Sequence, residues 1–171
     1  VLNLSGNPNL ETPPKEIVSK GLRFIMEYLR RLCLSRESGQ LEISRFGMKA
    51  LPWEVMQLFH LQKLNVSENF LTEIPGMITQ LSNLTVLNVE SNRITELPWC
   101  LGGIKTLNQL YFVDNPLINP PETIRQRGGA SVIQYLRMLY ASEASSCLVM
   151  AGCDLSEFPP EAVRMQSLTE L

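Results

Sequence analysis

Aliphatic residues recur along this chain with a period of 23 residues. Alternating triplets begin at Leu41, Leu64, Leu87 and Leu110, each 23 residues after the previous one. In an extended segment successive side chains point to opposite sides, so each triplet can bury its outer two members and expose its middle one. A three-residue strand is not stable alone. The pattern therefore predicts short parallel strands stacked side by side in one sheet.

The triplets are followed by a second apolar set and by a recurring asparagine and a recurring proline. The full pattern reads LxxLxLxxNxLxxLPxxLxxL and is nearly complete over 61–81 and 84–104. Asn69, Asn92 and Asn115 follow their triplets, where a side-chain amide can satisfy backbone groups that a turn leaves unpaired. Pro75 and Pro98 cannot donate to a sheet and prevent strand pairing on the return path. The returning apolar residues should pack against the buried side of the strands.

This pattern resembles the leucine-rich repeat family. It is similar to the cytosolic 23-residue type found in Shoc, Erbin and Scribble proteins, plant intracellular Ras-group-related proteins and Roco-like proteins. The resemblance implies an α/β solenoid with a curved parallel sheet on its concave face. Its convex face should carry short helices and turns and, in this chain, two longer helices.

The two longer helices are predicted by a duplication at a larger scale. Residues 13–64 align with 120–171 at an offset of 107, and the segment Tyr28-Leu29-Arg30 recurs at 135–137. In each copy a proline pair precedes a short helical turn, a glycine follows it, and apolar residues then recur at helical spacing. The apolar positions of the two predicted helices are Ile25, Met26, Leu29 and Leu32, matched by Val132, Ile133, Leu136 and Leu139.

The repeat pattern covers essentially the whole chain. We expect residues 1–171 to form a single repeat array, with a long unit over 2–40, regular repeats over 41–109, a second long unit over 110–147, and repeats that resume over 148–171. Neither end carries the polar cap that a solenoid needs, so we expect the chain to be a fragment of a longer array.

Composition and charge narrow the expected partners. The net charge of −2 lacks the basic excess of a nucleic-acid-binding domain, and no apolar run is long enough to insert in a membrane. The four cysteines have neither paired metal-ligand spacing nor the density of a disulfide scaffold, which favours reduced thiols in the cytoplasm. Three N-x-[ST] sequences, at Asn3, Asn65 and Asn83, are more simply chance matches in the repeats.

Candidate catalytic chemistry is sparse. The only histidine, His60, lies in a variable linker position, and Cys153 occupies the position of the repeat asparagines. A general base or a nucleophile needs a positioned partner, which neither has in the sequence. Glycine-rich phosphate loops are absent from the sequence. We therefore expect no enzyme activity, no cofactor and no metal.

The concave face is the predicted binding surface, because a solenoid presents an extended array of side chains there. Tyr111 with its apolar neighbours has the composition of an interface hot spot, although it could equally cap the sheet beside the long unit. The candidate protein-binding residues are Lys63, Asn65, Ser67, Val86, Asn88, Glu90, Gln109, Tyr111 and Val113.

The function implied by the resemblance is protein–protein interaction. We expect a cytosolic signalling scaffold or adaptor that binds a protein partner through the concave face, with small-GTPase signalling components among the expected partners. The alternative is the regulatory repeat region of a larger multidomain enzyme, a Roco-type GTPase/kinase or a ligase, whose catalytic domain lies outside these residues.

Overall fold

The computed structural model describes residues 12–145 together with Cys147 and Met150. Its elements are, in chain order, α1 (Lys15–Val18), α2 (Leu22–Ser38), β1 (Gln40–Glu42), α3 (Trp53–Met56), β2 (Lys63–Asn65), the 3-10 helix η1 (Gly76–Gln80), β3 (Val86–Asn88), the 3-10 helix η2 (Trp99–Gly103), β4 (Gln109–Tyr111), α4 (Glu122–Arg125) and α5 (Gly129–Ser145).

The four strands form one parallel sheet in the order of the sequence. Leu41 pairs with Leu64, Leu64 with Leu87, and Leu87 with Leu110, which is the register that the 23-residue period predicts. All four leucines are 5% exposed or less. The prediction of a repetitive α/β fold with a parallel sheet is thus confirmed; the curvature of a solenoid stays a prediction.

The repeat asparagines bind the turn backbone as predicted. The Asn92 side-chain nitrogen donates to the carbonyl oxygens of Val66 and Val89 at 3.0 and 2.9 Å, and its oxygen accepts the Leu71 amide at 3.0 Å. Asn69 and Asn115 make equivalent bonds one repeat before and one repeat after. Each asparagine therefore links two successive repeats through otherwise unpaired backbone groups.

The core lies between the sheet and the return segments. Val66 and Val89 from the strand side and Ile78 and Leu101 from η1 and η2 are each 1% exposed or less. Pro75 and Pro98 stand immediately before η1 and η2 with extended backbone. Since proline fixes its own φ and lacks an amide proton, these segments leave the strand direction and form a 3-10 turn instead.

The two long units have the same local construction. Pro14 and Pro121 precede the four-residue helices α1 and α4. Gly21 and Gly128 follow with φ values of +89° and +88°, a conformation that glycine adopts without steric cost. Helices α2 and α5 then run for 17 residues each. The predicted pair of longer helices is present; their position on a convex face stays a prediction.

Apart from Met150, the repeats predicted over 148–171 lie outside the described residues, as does the start of the first long unit. The domain division therefore remains a prediction. Among the described helices, none combines the length and the apolarity needed to cross a bilayer.

Candidate protein-binding surface

The solvent-directed side chains of the four strands form three rows across the sheet, which we call the ladder face. Strand register places equivalent positions of neighbouring repeats side by side. The first row is Gln40, Lys63, Val86 and Gln109; the second is Glu42, Asn65, Asn88 and Tyr111; the third, just beyond the strands, is Ser44, Ser67, Glu90 and Val113.

The second row is held in place by hydrogen bonds. The Asn65 side chain donates to a Glu42 carboxylate oxygen at 2.7 Å and accepts the Ser67 amide at 2.9 Å. Asn88 accepts the Glu90 amide at 2.9 Å and donates to the Glu90 carboxylate, within the same repeat, at 3.3 Å. Side chains fixed in this way lose less conformational entropy when a partner binds, so the middle of the ladder face is preorganised.

The edge of the ladder face carries an ion pair between neighbouring repeats. Arg45 makes two parallel bonds to the Glu68 carboxylate at 2.8 and 2.7 Å. These hydrogen bonds lower the pKa of Glu68 below its usual range and raise the pKa of Arg45. Both side chains are well exposed, so the pair orients two charges at the surface more than it stabilises the fold.

The β4 end of the ladder face is apolar and open. Tyr111 is 45% exposed and Val113 is 58% exposed. The Tyr111 hydroxyl has a weak contact to Gln109 at 3.4 Å. An exposed aromatic ring beside aliphatic side chains on a rigid strand is the composition that protein interfaces favour at their centre.

The opposite end is a charged cleft between β1 and α2. Its volume is about 1300 Å³, and it is open to solvent. Glu42, Asn65 and Ser67 line it from the ladder face, and Arg23, Phe24, Glu27, Arg30 and Arg31 line it from α2.

Within the cleft wall, Arg31 links the helix to the strand. Its guanidinium donates to Glu27 at 2.7 Å and to the Glu42 carbonyl oxygen at 2.8 Å. The bond from Arg31 lowers the pKa of Glu27. Arg31 also lies over the ring of Phe46, at 5.2 Å from its centre.

Phe46 occupies the position that Asn69 fills one repeat later. It is buried and packs edge-on against Phe24 and Tyr28 of α2. The asparagine series is thus interrupted at the repeat of β1, where an aromatic cluster with the helix takes the place of the asparagine.

The predicted binding residues are brought together on one face, with unequal exposure. Lys63, Gln109, Tyr111 and Val113 are exposed, and Asn65, Val86, Asn88 and Glu90 are half-buried. Ser67 is only 8% exposed and contributes little surface. Whether these residues bind a protein stays a prediction.

The cleft wall on α2 was missed by the sequence argument. The helical spacing predicts only the apolar positions of α2, and such a pattern cannot tell whether the polar side of the helix faces open solvent or a cleft. The substitution of Phe46 for a repeat asparagine was the available signal, because a buried aromatic residue there requires a new partner.

Metal or acid–base chemistry finds little support among the described residues. They contain no group of three or more histidine, cysteine, aspartate or glutamate side chains placed to hold a metal ion. His60 is exposed, and its ring nitrogen lies 2.9 Å from the Ser35 carbonyl oxygen.

Comparison with known proteins agrees with the repeat geometry. Residues 59–117 match the family model described as leucine rich repeat. A solved leucine-rich repeat protein of Leptospira interrogans is similar, with 31% identity and a TM-score of 0.41. The match covers 49% of this chain and 28% of that one. The comparison with curated proteins gave no match.

The family match supports leucine-rich repeats over residues 59–117. The 23-residue register, the asparagine series and the family match over 59–117 all fall on the same residues. Leucine-rich repeat domains generally mediate protein–protein interaction, which is the class of function that the ladder face fits.

Proposed function

We propose that this chain is a protein-binding module whose ladder face recognises a protein partner. The observation that carries the proposal is the exposure of Tyr111 and Val113 beside a row of side chains already fixed by hydrogen bonds. The apolar end supplies area to bury, and the preorganised polar row supplies specificity at low entropic cost. This mechanism requires neither a cofactor nor catalysis.

We further propose that the module serves as a cytoplasmic scaffold or adaptor in signalling, with small-GTPase signalling components as its partners. The resemblance to cytosolic repeat proteins supports this assignment. The free thiols of Cys33, Cys100 and Cys147 are compatible with a reducing compartment.

The test is affinity purification with the full chain and two matched variants. The first variant, Tyr111→Ala with Val113→Asp, removes the apolar end of the ladder face. The control, Met77→Asp, alters a side chain of similar exposure, 48%, on η1. We expect the first variant to lose captured partners by about tenfold or more, the loss typical of a hot spot, and the control to retain them.

The opposite result, loss with Met77→Asp and retention with the ladder variant, would move the binding surface to the return segments. The GTPase assignment is tested separately by comparing captured partners after loading with a GTP analogue or with GDP. If no ladder-dependent partner is a GTPase or responds to the nucleotide, that assignment fails while the binding function stands.

A further inference from the structure

The helix wall of the charged cleft has more cations than its own carboxylate can bind. The hydrogen bond from Arg31 and the charges of Arg30 and Arg23 lower the pKa of Glu27, so three guanidinium groups lie near one carboxylate. Arg31 binds that carboxylate at 2.7 Å, whereas Arg30 stays 3.7 Å away. Arg23 makes no hydrogen bond or ion pair with any residue that the structure describes. This wall therefore carries excess positive charge.

The carboxylates of the strand wall are already bound. Glu42 accepts the Ser44 amide at 3.1 Å and the Asn65 side chain at 2.7 Å. Both oxygens of Glu68 accept hydrogen bonds from Arg45. Among the described residues, neither carboxylate forms an ion pair with the two arginines of the helix wall that lack a close partner. Those two cations are therefore available to a ligand.

Arg23 and Arg30 lie on the same side of α2. They are seven residues apart, which is close to two full turns and about 10.5 Å along the helix axis. Both are exposed, and both line the cleft. A guanidinium group can bind one carboxylate through two parallel hydrogen bonds. The spacing favours two separate carboxylates, because a single anionic group is bound best by arginines that converge on it.

Apolar surface lies between these two arginines. Met26 is 56% exposed and Phe24 is 39% exposed, and both line the cleft. The Phe24 ring stands edge-on to the buried Phe46 ring, with 6.4 Å between their centres, so the core holds it in place. A methionine beside a fixed aromatic ring is a surface on which an apolar side chain can pack.

The dimensions of the cleft suit a chain segment. Its volume of about 1300 Å³ exceeds the roughly 300–1000 Å³ of a typical small-molecule pocket. Asn65 and Ser67 belong both to the cleft and to the ladder face. A protein that lies on the ladder face can therefore extend a segment directly into the cleft.

We propose that the charged cleft binds an acidic segment of the protein partner, with its carboxylates on Arg23 and Arg30 and an apolar side chain on Phe24 and Met26. The inference rests on the proposed function, because the cleft is one end of the ladder face, and it adds the chemistry of the partner. The net charge of −2 does not oppose it, since salt screens exposed charges beyond about 8 Å.

The test is the selection of random dodecapeptides displayed on phage against the full chain. A parallel selection uses the cleft variant, Arg23→Glu with Arg30→Glu. The matched control, Arg36→Glu with Lys49→Glu, makes the same change in net charge at exposed positions that do not line the cleft. Urea unfolding checks that the variants remain folded, which we expect because all four side chains are exposed.

We expect the peptides selected on the wild-type chain to be enriched in aspartate and glutamate together with an apolar residue. In titrations followed by fluorescence anisotropy, these peptides should bind the cleft variant about tenfold or more weakly and the control variant equally well. The milder variant, Arg23→Gln with Arg30→Gln, should show a smaller loss. Peptides with lysine in place of the acidic residues should bind the cleft variant and not the wild-type chain, a reversal that structural damage would not produce.

Two results would overturn the inference directly. One is a wild-type selection without acidic enrichment, and the other is an equal loss of affinity in the cleft and control variants. Phosphoserine in place of one acidic residue tests a phosphorylated segment as the competing ligand. A gain of about tenfold or more would assign the cleft to phosphorylated segments and overturn the carboxylate assignment, whereas similar or weaker binding would support it.

The inference and the proposed function fail in distinguishable ways. The ladder variant, Tyr111→Ala with Val113→Asp, should bind the selected peptides normally, because its changes lie at the opposite end of the ladder face. If captured protein partners are lost with the ladder variant and kept with the cleft variant, only the cleft inference fails. If they are lost with the cleft variant and kept with the ladder variant, the role of the apolar end fails and the cleft inference stands.

Discussion

Helices α2 and α5 are duplicates with different surroundings. Both follow a four-residue helix and a glycine with positive φ, both run for 17 residues, and both carry Tyr-Leu-Arg. Yet the leucine of this motif is 44% exposed in α2 and 1% exposed in α5. The comparison teaches that a helix of this pattern carries two apolar faces, and that the neighbouring repeat decides whether the second one is buried.

The largest expected loss of stability follows from truncating the buried leucine of this motif, Leu136, and the exposed leucine, Leu29, is its matched comparison. Leu136→Ala should lower the free energy of unfolding by about 2–5 kcal/mol, because it removes buried methyl groups and leaves a cavity against η2. Leu29→Ala should change it by no more than about 0.5 kcal/mol, since the side chain is exposed. Urea unfolding of both variants measures the contrast, and equal losses would contradict the assignment of faces.

A smaller effect is expected where η2 meets α5. Gly102→Ala should cost about 1–3 kcal/mol, because a Cβ at Gly102 would lie 2.2 Å from the Leu136 carbonyl oxygen of α5. That oxygen belongs to the helix backbone and cannot rotate away. Gly76 in η1 is the control: a Cβ there would have its nearest neighbour, the Cys100 sulfur, at 3.9 Å. Gly76→Ala should be neutral or slightly stabilising. Urea unfolding of both variants measures the difference. An unchanged free energy of unfolding for Gly102→Ala would contradict the close approach of the α5 backbone to Gly102.

Tyr28 is buried on the inner side of α2, at the position of Tyr135 in α5. The contribution of its hydroxyl to stability can be tested by substitution. Its hydroxyl donates to Glu54 at 2.7 Å, and Tyr28→Phe should cost about 1 kcal/mol near neutral pH, the usual value of one hydrogen bond. Tyr140→Phe, at a ring that is 42% exposed, is the control and should cost less. If both variants lost the same free energy of unfolding, the bond from the Tyr28 hydroxyl to Glu54 would contribute no more than an exposed hydroxyl does.

The same residue predicts a pH dependence. Burial, and then the negative charge of Glu54, raise the pKa of Tyr28 above its ordinary value of 10.0. As the pH rises above that value, the unfolded chain loses this proton first, so the free energy of unfolding should fall. Thermal melts between pH 8 and 11, a range of about three units around the ordinary tyrosine pKa, should show a weaker decline for Tyr28→Phe. An unchanged decline would contradict a buried neutral Tyr28.

The smallest effect is expected for the two arginines. Arg137→Ala removes two bonds to backbone carbonyl oxygens from an exposed side chain and should cost about 1 kcal/mol or slightly less. Arg30→Ala removes only an exposed ion pair and should be close to neutral. Chemical denaturation of both variants in parallel measures the difference. A cost for Arg30→Ala as large as for Arg137→Ala would mean that α2 already uses its arginine as α5 does.

The sequence was most informative where it repeats. The spacing of Leu41, Leu64, Leu87 and Leu110 predicted the strands and their register, because a period of two within each triplet and a fixed distance between triplets leave one way to stack them. The asparagine bonds could also be predicted, since the residue type, its position and the unpaired turn backbone all indicate one role.

The candidate site was predicted less completely. Alternation assigned the correct side of each strand, but it could not show that Ser67 is nearly buried or that Asn65 and Asn88 bind neighbouring carboxylates. These properties depend on side-chain conformations and on distances between strands, which a periodic pattern does not encode. The cleft beside α2 was unpredictable for the same reason.

By itself, the sequence determined the repeat, the sheet register, the asparagine bonds, and the existence of α2 and α5. These features follow from local spacing, which fixes where a side chain points relative to its own element. The tertiary structure alone decided that Leu136 is covered and Leu29 is open, and that Arg31 joins α2 to β1. Burial and hydrogen bonding between elements require a second surface at contact distance, and only packing supplies it.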